Sequence, residues 1–290
     1  MGLTHVYIIS WFGDQYQKRL GYHNTQVEYF LNKGLKVVIL AQDYNSKDFL
    51  EHNDIRYILG PEDRILRPGE ARNILLKDFY ESDVDFAVFA DNDSILYDHC
   101  DGEHFVENIN KNWEKYSHVD MAMPINPRNE PFNKRYREEK DLYFNNHVFK
   151  KTSNCKGSLF FLKNVLKYYQ KSIYNAEEYN LHTDGGILGG EDGDLALQFI
   201  AHGLGVYKFE NLVLKEMGGG EYSTWSESME HRNTITDPMH LMWYKRFKDK
   251  GMEMKDNGRV NRRNFMKRNF KRPDKVVIPY IENSLEELFT

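Results

Sequence analysis

The amino-acid sequence predicts an α/β fold: an open sheet flanked by helices, followed by a basic helical C-terminal extension. Short apolar runs alternate with segments of helical periodicity over the first 90 residues, which is the pattern of an open α/β sheet. In addition, acidic residues such as Asp43 and Asp91 follow closely after apolar runs. Ligands of open α/β sheets bind at the carboxyl ends of the strands.

The predicted elements of the first half come in the order strand, helix, strand, strand, helix, strand. Helices are predicted over 25–31, which Lys33-Gly34 follows, and from Pro68, because proline favours the first turn of a helix. The apolar runs that predict strands are 5–11, 35–41, 55–59 and 84–90.

The second half of the chain is less regular. We predict strands at 120–125, 157–162 and 206–215, and helices at 105–116, 165–172 and 191–202. The segment 126–151 is polar, charged and rich in aromatic residues without a clear period, and is interpreted as an irregular insertion on the acceptor side.

Composition excludes several classes of protein. Aromatic residues make up 14% of the 290 residues, which argues against disorder. No apolar run approaches the roughly 18 residues of a membrane span, and the first apolar run is interpreted as a strand rather than a signal peptide. The two cysteines, Cys100 and Cys155, make no disulfide framework. These features predict a cytoplasmic protein without stable membrane insertion.

Positive charge is concentrated near the C-terminus. The segment 255–275 has nine basic and two acidic residues, whereas the whole chain has a net charge of −5. A local excess of this kind indicates a site for a polyanion. If the segment is helical, its basic residues form a stripe that could follow a phosphate backbone: Arg259, Arg263, Lys267 and Lys271, with Arg262 beside them. A solvated surface helix whose phenylalanines pack on the core is the alternative. The stripe lacks the broad apolar face that would insert into a membrane.

Asp91-Asn92-Asp93 is an Asp-x-Asp motif directly after an apolar run. Two carboxylates at this spacing, at a strand end, can hold Mn²⁺ or Mg²⁺ and leave coordination positions open for a diphosphate. The cation would neutralise a departing diphosphate as a Lewis acid. A polar turn after a strand is the alternative interpretation.

A second motif, Gly189-Gly190-Glu191-Asp192-Gly193-Asp194, opens a predicted helix. Backbone N–H groups at a helix N-terminus bind anions, and a carboxylate there can act as general base on a hydroxyl. An acidic first turn that matches the helix dipole is the alternative.

Together, about 100 residues apart and in this order, the two motifs resemble those of the GT-A glycosyltransferases, in particular the β-1,4-galactosyltransferase type. The corresponding residues here are Phe89-Ala-Asp91-Asn-Asp93 and Leu188-Gly-Gly-Glu-Asp192-Gly-Asp194. The resemblance extends over residues 1–235 in layout. It implies a Rossmann-like, open mixed sheet and the transfer of a sugar from a nucleoside-diphosphate sugar, with a UDP-sugar as the expected donor, to a hydroxyl.

The resemblance also implies roles for individual residues. Asp93 would be a direct metal ligand, and Asp91 would hold the ribose or a metal-bound water. Glu191 would hold the acceptor, and Asp192 would be the base of an inverting mechanism. Retaining GT-A enzymes share the metal site without such a base, so the stereochemical course stays open.

Other residues would bind the donor or complete the metal site. By the same resemblance, Trp11 and Asp43 would flank the nucleoside, Gly190 would donate its N–H to the β-phosphate, and the helix with Arg72 would contact the nucleotide-sugar. The family also supplies a downstream histidine to the metal, for which His231 is the first candidate and His240 the second.

Two positions depart from the family pattern. The tryptophan that precedes Gly-Gly in the family is Leu188 here, which puts stacking of a sugar at this place in doubt. The middle acid of the acidic run is Gly193.

The acceptor is predicted from composition and charge. The richness in Lys, Asn, Tyr and Phe resembles bacteriophage coding, and large phages use such enzymes to glycosylate hydroxymethylated or already glycosylated cytosine. The predicted acceptor is therefore double-stranded DNA in the host cytoplasm, contacted by the basic stripe. A glycan under assembly, such as capsule or lipopolysaccharide, is the competing acceptor.

Two further classes of function are alternatives to glycosyl transfer. A nucleotidyltransferase would have a Gly-rich loop after the first strand, where this chain has a single glycine in Trp11-Phe-Gly-Asp-Gln. A non-catalytic nucleic-acid-binding module would use the basic stripe alone. As domains we predict a GT-A unit at 1–235, with a nucleotide-binding half (1–95) and an acceptor half (96–235), and the extension at 236–290.

Overall fold

The structure is a computed structural model that describes residues 2–42, 45–111, 113–126, 146–153, 158–169, 191–218 and 239–279. The strands in these ranges are β1 Leu3–Ser10, β2 Lys36–Ala41, β3 Ile55–Leu59, β4 Phe86–Asp91, β5 Ser94–Leu96, β6 Met121–Ile125, β7 Asn146–Lys151, β8 Leu159–Lys163, β9 Val206–Glu216 and β10 Lys275–Pro279. The helices are α1 Tyr16–Asn32, α2 Pro68–Glu81, α3 Phe105–Lys111, α4 Val165–Tyr169, α5 Glu191–Ala201, α6 at 239–247 and α7 Arg262–Asn269.

The strands form one mixed sheet. Its order is β10-β7-β9-β6-β8-β4-β1-β2-β3, and β5 pairs with β9 beside this path. β1 is parallel to β2 and β4, and β2 is parallel to β3, as expected where helical crossovers connect the strands. β8 runs antiparallel between β4 and β6. The prediction of an open α/β sheet flanked by helices is therefore confirmed.

Helices cover both faces of this sheet, which explains why β2 and β4 are almost continuously apolar. On one face, Phe79 of α2, Phe199 of α5 and Trp243 of α6 pack in one core. On the other face, Phe30 of α1 and Phe105 of α3 pack in a second core. Asp91 lies at the carboxyl end of β4, level with the ends of the parallel strands β1 and β2 at Ser10 and Ala41.

The C-terminal residues belong to the same fold. β10 pairs with β7 at the sheet edge, and Phe265 of α7 is fully buried in the first core. The condition that the segment 259–271 is one helix is not met, because α7 covers only Arg262–Asn269. The prediction that 126–151 is irregular throughout is also wrong, because β7 occupies its last six residues. Within the described ranges, no helix is both long and apolar enough to cross a membrane.

A buried ionic network ties the C-terminal part to the sheet. Asp120 is fully buried before β6 and accepts hydrogen bonds from the Tyr169 hydroxyl (2.6 Å) and the Gly205 N–H (2.7 Å). Its carboxylate also lies 3.4 Å from Lys163 Nζ and 3.6 Å from Arg272 Nε. Burial lowers the pKa of Lys163, and the charge of Asp120 opposes this effect. Asp120 thus compensates two basic groups from distant parts of the chain.

We expect Asp120→Asn to reduce the free energy of unfolding by about 3–5 kcal/mol, because it leaves buried charges without their partner. Urea unfolding followed by circular dichroism measures the change. Asp274→Asn is the matched control: its side chain is 74% exposed and pairs with Lys151, so its loss should cost less than about 1 kcal/mol. Equal effects of the two substitutions would contradict the role given to Asp120.

Candidate active site

The Asp-x-Asp motif forms the turn between β4 and β5, and side chains from elsewhere hold this turn in place. The amide of Gln26 on α1, fully buried, donates to the carbonyl oxygens of Asp91 and Ser94, both at 2.6 Å. The amide of Asn92 donates to the carbonyl oxygen of Trp11 at 2.7 Å. The backbone positions of the two carboxylate residues are therefore fixed by the end of β1 and by α1.

Arg72 lies beside the first carboxylate of the motif. Its Nη2 is 3.3 Å from Asp91 Oδ1, and its guanidinium lies over the ring of Phe160, 4.9 Å from the ring centre. Arg72 is only 4% exposed, so it lies on the buried face of α2. The structure thus puts Arg72 next to the Asp-x-Asp motif and not on a solvated helix face.

Several carboxylates converge on Asp91. Burial, and then the charges of Asp93, Asp192 and Glu216, raise its pKa to about 6 against the lowering effect of Arg72. Because 46% of the Asp91 side chain is exposed, we attribute more of this shift to the neighbouring carboxylates than to burial. Two acidic motifs about 100 residues apart in the chain thus meet at one end of the sheet.

Glu216, at the end of β9, was not predicted as a site residue. It is paired with Ser94 across the β5–β9 ladder. Its Oε1 accepts hydrogen bonds from the Ser158 hydroxyl (2.6 Å) and the Asn126 amide (3.2 Å). The carbonyl oxygen of Ser158 in turn accepts from the N–H of Asp91 at 2.9 Å. Glu216 is therefore an oriented carboxylate next to the Asp-x-Asp motif.

The second acidic motif begins α5. Asp192 Oδ1 accepts a hydrogen bond from the N–H of Gly193 at 2.8 Å. Burial raises the pKa of Glu191, as does the charge of Asp91, whereas Arg72 lowers it. Glu191 and Asp192 thus lie on the same side of the molecule as the Asp-x-Asp motif, and Arg72 acts on both motifs.

The last residues of the acidic run are structural. Asp194 is fully buried, accepts from Gln198 Nε2 at 2.6 Å and lies 3.3 Å from Arg246 Nη1 on α6. Gly193 faces Trp243: a Cβ atom built on Gly193 would lie 2.9 Å from Cζ2 of that ring. The family's middle acid would therefore clash with Trp243, which accounts for the glycine.

A small cavity opens beside the second carboxylate of the Asp-x-Asp motif. It is lined by Arg19 and Tyr22 of α1, Asn92, Asp93 and Gly218. The Arg19 guanidinium lies over the Trp11 ring, 5.9 Å from its centre. The predicted nucleoside contact Trp11 thus packs against Arg19, which lines this cavity.

Not every predicted site residue can be placed. Asp43, Gly190 and His231 lie outside the described residues. His240 is described and 6% exposed, and its Nδ1 accepts from the N–H of Val260 at 3.3 Å. His240 Nδ1 therefore binds the backbone between α6 and α7, and this nitrogen is not available as a metal ligand.

The basic residues of the C-terminal segment do not all lie on one helix. Arg259 precedes α7 and Lys271 follows it, and both are exposed, as are Arg263 and Lys267 on the helix. Arg262 is different: it is half-buried, lies over the Trp243 ring (5.6 Å from its centre) and is acted on by the charge of Asp192.

The described residues fit a divalent cation as an open site. No three His, Cys, Asp or Glu side chains among them are arranged to enclose a metal ion. Asp91 and Asp93 can supply two oxygen ligands, and the accumulated negative charge that raises the pKa of Asp91 favours a cation there. The remaining coordination positions would then fall to diphosphate oxygens and water.

Comparisons with known proteins identify the fold. No family model and no curated protein sequence matches the chain. Among solved structures, the mannosyltransferase PcManGT from Pyrobaculum calidifontis, in complex with GDP-Man and Mn²⁺, has a TM-score of 0.53 at 12% identity, over 84% of this chain and 65% of the other.

Two further structures are similar at lower scores. TarS 1–349 of S. aureus has a TM-score of 0.49 at 11% identity, over 92% of this chain and 70% of the other. GalNAc-T7 with UDP, GalNAc and Mn²⁺ has a TM-score of 0.47 at 13% identity, over 86% of this chain and 50% of the other. The likeness to the mannosyltransferase and the observed sheet together show that the fold is GT-A, Rossmann-like and mixed, as predicted.

Proposed function

We propose that this protein is a metal-dependent glycosyltransferase that uses a nucleoside-diphosphate sugar as donor. The observation that carries the proposal is the convergence of Asp91, Asp93, Asp192 and Glu216, with Arg72 among them, at the carboxyl end of β4. Open α/β sheets bind their ligands at this edge. A site so rich in carboxylates binds a diphosphate only with a cation between them.

In this proposal Asp91 and Asp93 hold Mn²⁺ or Mg²⁺, which when bound supplies Lewis-acid stabilisation of the leaving diphosphate. Gln26 keeps both carboxylates in place through its bonds to the turn. Arg72 keeps the Asp91 carboxylate oriented. A third ligand from outside the described residues, His231, remains our candidate.

Asp192 acts as the general base in the inverting version of this mechanism. It takes the proton of the acceptor hydroxyl while that oxygen forms a bond to the anomeric carbon and the diphosphate leaves. Its hydrogen bond from the Gly193 N–H orients the carboxylate at the start of α5. Glu191 holds the acceptor, and its raised pKa reflects the same crowded environment.

The donor is proposed to lie between the two acidic motifs and the end of β1. Trp11 and Asp43 flank the nucleoside, and Gly190 contacts the β-phosphate. A UDP-sugar is our first candidate. The mannosyltransferase of similar fold was solved in complex with GDP-Man and Mn²⁺, so a GDP-sugar is the second. We also propose that the chain consists of a GT-A unit (1–235) and a C-terminal extension. A cytoplasmic location is part of the same proposal.

The acceptor remains a prediction. Hydroxymethylated or glycosylated cytosine in DNA is one candidate, and a capsule or lipopolysaccharide glycan is the other. In support of a polyanionic acceptor, Arg259, Arg263, Lys267 and Lys271 are exposed in one short stretch of sequence. The structure of this region otherwise favours neither acceptor.

The donor site is tested by incubating the protein with Mn²⁺ and a panel of nucleotide-sugars, and measuring release of the nucleoside diphosphate. We expect slow hydrolysis of one nucleotide-sugar that stops on addition of EDTA and returns with Mn²⁺. The assay is then repeated with unmodified, hydroxymethylated and glucosylated DNA as acceptors. Release of pyrophosphate from a nucleoside triphosphate and a sugar phosphate would instead indicate a nucleotidyltransferase, and no turnover of any donor would indicate a binding module.

A further inference from the structure

The end of β9 packs against the second carboxylate residue of the Asp-x-Asp motif. Glu216, the last residue of β9, is paired with Ser94 across the β5–β9 ladder, and the next residue, Met217, donates its N–H to the carbonyl oxygen of Asp93 at 2.8 Å. Gly218 follows, is buried, and lines the same cavity as Asp93. The chain that leaves β9 therefore lies directly against Asp93.

Gly218 leaves the space that the Asp93 carboxylate occupies. A Cβ atom built on Gly218 would lie 2.5 Å from Asp93 Oδ2, but 3.5 Å from Cγ and 3.7 Å from Cβ of the same side chain. The last two distances are ordinary van der Waals contacts, whereas the first is too short for a carbon and an oxygen that are not bonded. A side chain at this position would therefore displace the carboxylate and not the backbone of the motif.

The backbone conformation does not require a glycine at position 218. Gly203, Gly251 and Gly258 have positive φ angles, in the left-handed region that favours glycine, but Gly218 does not. A glycine that is not needed for its φ angle still loses more conformational entropy on folding than an alanine would. We therefore attribute Gly218 to the close approach of Asp93.

The Asp93 carboxylate is held from two sides. Its Oδ1 accepts a hydrogen bond from the Ser94 hydroxyl at 3.2 Å, and its Oδ2 faces Gly218. To regain an ordinary contact distance from a Cβ at position 218, Oδ2 would have to move by about 1 Å, about twice the displacement that a binding or catalytic site tolerates. The direction of this carboxylate thus depends on the absence of a side chain at Gly218.

We propose that Gly218 is a positioning residue for the divalent cation. The inference rests on the proposed function, in which Asp91 and Asp93 together hold Mn²⁺ or Mg²⁺. Because Gly218 has no side chain, the Asp93 carboxylate keeps the direction in which it can share one cation with Asp91. Divalent cations bind oxygen ligands only within a narrow range of distances, so a rotated carboxylate is a poor ligand. Gly218 contributes no ligand atom and acts through Asp93.

The test is Mn²⁺ binding in the absence of a donor, measured by isothermal titration calorimetry on the full chain. We expect Gly218→Ala to raise the Kd at least about tenfold, the effect typical of residues that orient metal ligands. The urea midpoint of unfolding should change little, because only the end of one side chain has to move.

Gly21→Ala is the matched control. Gly21 is exposed on α1 and precedes Tyr22, which lines the cavity, but an added Cβ there meets nothing within 4 Å. The chemical change is the same as in Gly218→Ala, and Mn²⁺ affinity should stay that of the unmodified protein.

A double variant shows whether Gly218 acts through Asp93. In Asp93→Ala the residue that could clash is reduced to a Cβ, which would lie 3.7 Å from the Cβ added at position 218. Adding Gly218→Ala to Asp93→Ala should therefore cause no further loss of the residual Mn²⁺ binding, which the paramagnetic resonance signal of free Mn²⁺ measures. A general distortion of the site would instead lower the affinity again, because independent effects add.

Circular dichroism establishes that each variant is folded. If Gly218→Ala does not fold, adding Asp93→Ala should restore folding, because the three atoms nearest to the added Cβ all belong to Asp93. Failure to restore it would overturn the positioning role. Unchanged Mn²⁺ affinity in Gly218→Ala, an equal loss in Gly21→Ala, or a further loss in the double variant would overturn it as well.

Donor hydrolysis on the same preparations separates this inference from the proposed function. Mn²⁺ binding that depends on Gly218, without hydrolysis of any nucleotide-sugar, would remove the transferase and leave the positioning role. Metal-dependent hydrolysis with unchanged Mn²⁺ affinity in Gly218→Ala would remove the positioning role alone. Absence of Mn²⁺ binding by the unmodified protein would remove both.

Discussion

Replacing Asp93 with Asn should abolish most of the metal-dependent turnover of the donor. A Lewis-acid cation stabilises a departing charge by several kcal/mol, and each 1.4 kcal/mol is about tenfold in rate, so we expect turnover to fall about 10³-fold or more. Affinity for Mn²⁺ should fall at least about 100-fold, since even residues that only support metal ligands change affinity by 10–100-fold. The fold should survive, because Asp93 is a half-buried turn residue.

The measurements are Mn²⁺ binding by isothermal titration calorimetry and release of the nucleoside diphosphate. Asp98→Asn is the matched control: this carboxylate is five positions further along the chain, is 60% exposed and lies 3.4 Å from Lys33 Nζ. It should bind Mn²⁺ as the unmodified protein does. Mn²⁺ affinity that is the same in Asp93→Asn and in this control would contradict the proposed metal site.

The dependence of Mn²⁺ affinity on pH provides an independent check. Because the pKa of Asp91 is raised to about 6, the cation competes with a proton below this pH, and affinity should increase as pH rises through 6. Asp93 contributes to this raised pKa through its charge. In Asp93→Asn the increase should therefore move to lower pH, in addition to the loss of a ligand.

Local sequence patterns predicted much of this fold for a physical reason. Strands covered on both faces must be apolar throughout, so β1, β2 and β4 were recognisable without knowledge of their partners. The Asp-x-Asp motif follows β4 directly, so its place at the sheet edge follows from the same pattern. Only the family resemblance indicated Arg72, because helix periodicity does not show which helix face meets a strand end.

The residues that were missed depend on tertiary contacts. Glu216 lies far along the chain from Asp91. It comes near the Asp-x-Asp motif because the C-terminal end of β9 pairs with β5. Gln26 is one polar residue on a helix, and only the fold shows that its amide meets the turn after β4. Trp243 could not be connected to Gly193 for the same reason.

The sequence contained signals against a single helix through the whole basic segment 259–271. Asn261 caps α7, its side chain accepting from the N–H of Asn264 at 3.2 Å, and asparagine is a favoured N-cap. Gly258 adopts a φ of +74°, a conformation that ends regular helix. Both residues indicate a helix that starts after Arg259. The β-branched run Val276-Val277-Ile278 also indicated a strand after the basic segment.

Replacing Asp192 with Asn should lower turnover by about 10²–10⁴-fold, the contribution typical of a general base, and leave Mn²⁺ affinity nearly unchanged. The amide preserves the shape of the side chain, and its oxygen can still accept the hydrogen bond from Gly193. It cannot take a proton from the acceptor hydroxyl. The loss should therefore appear in kcat, with little change in the KM for the donor.

Glu191→Gln is the matched comparison, because it makes the same chemical change at the preceding position of α5. If Glu191 holds the acceptor and Asp192 takes its proton, Glu191→Gln should raise the KM for the acceptor, and Asp192→Asn should lower kcat at saturating acceptor. The two residues differ in surroundings as well: Arg72 acts on Glu191, whereas Asp192 acts on Arg262. Asp192→Asn with turnover within about tenfold of the unmodified protein would exclude this residue as the base and favour a retaining mechanism, in which no carboxylate takes the proton directly from the acceptor at this position.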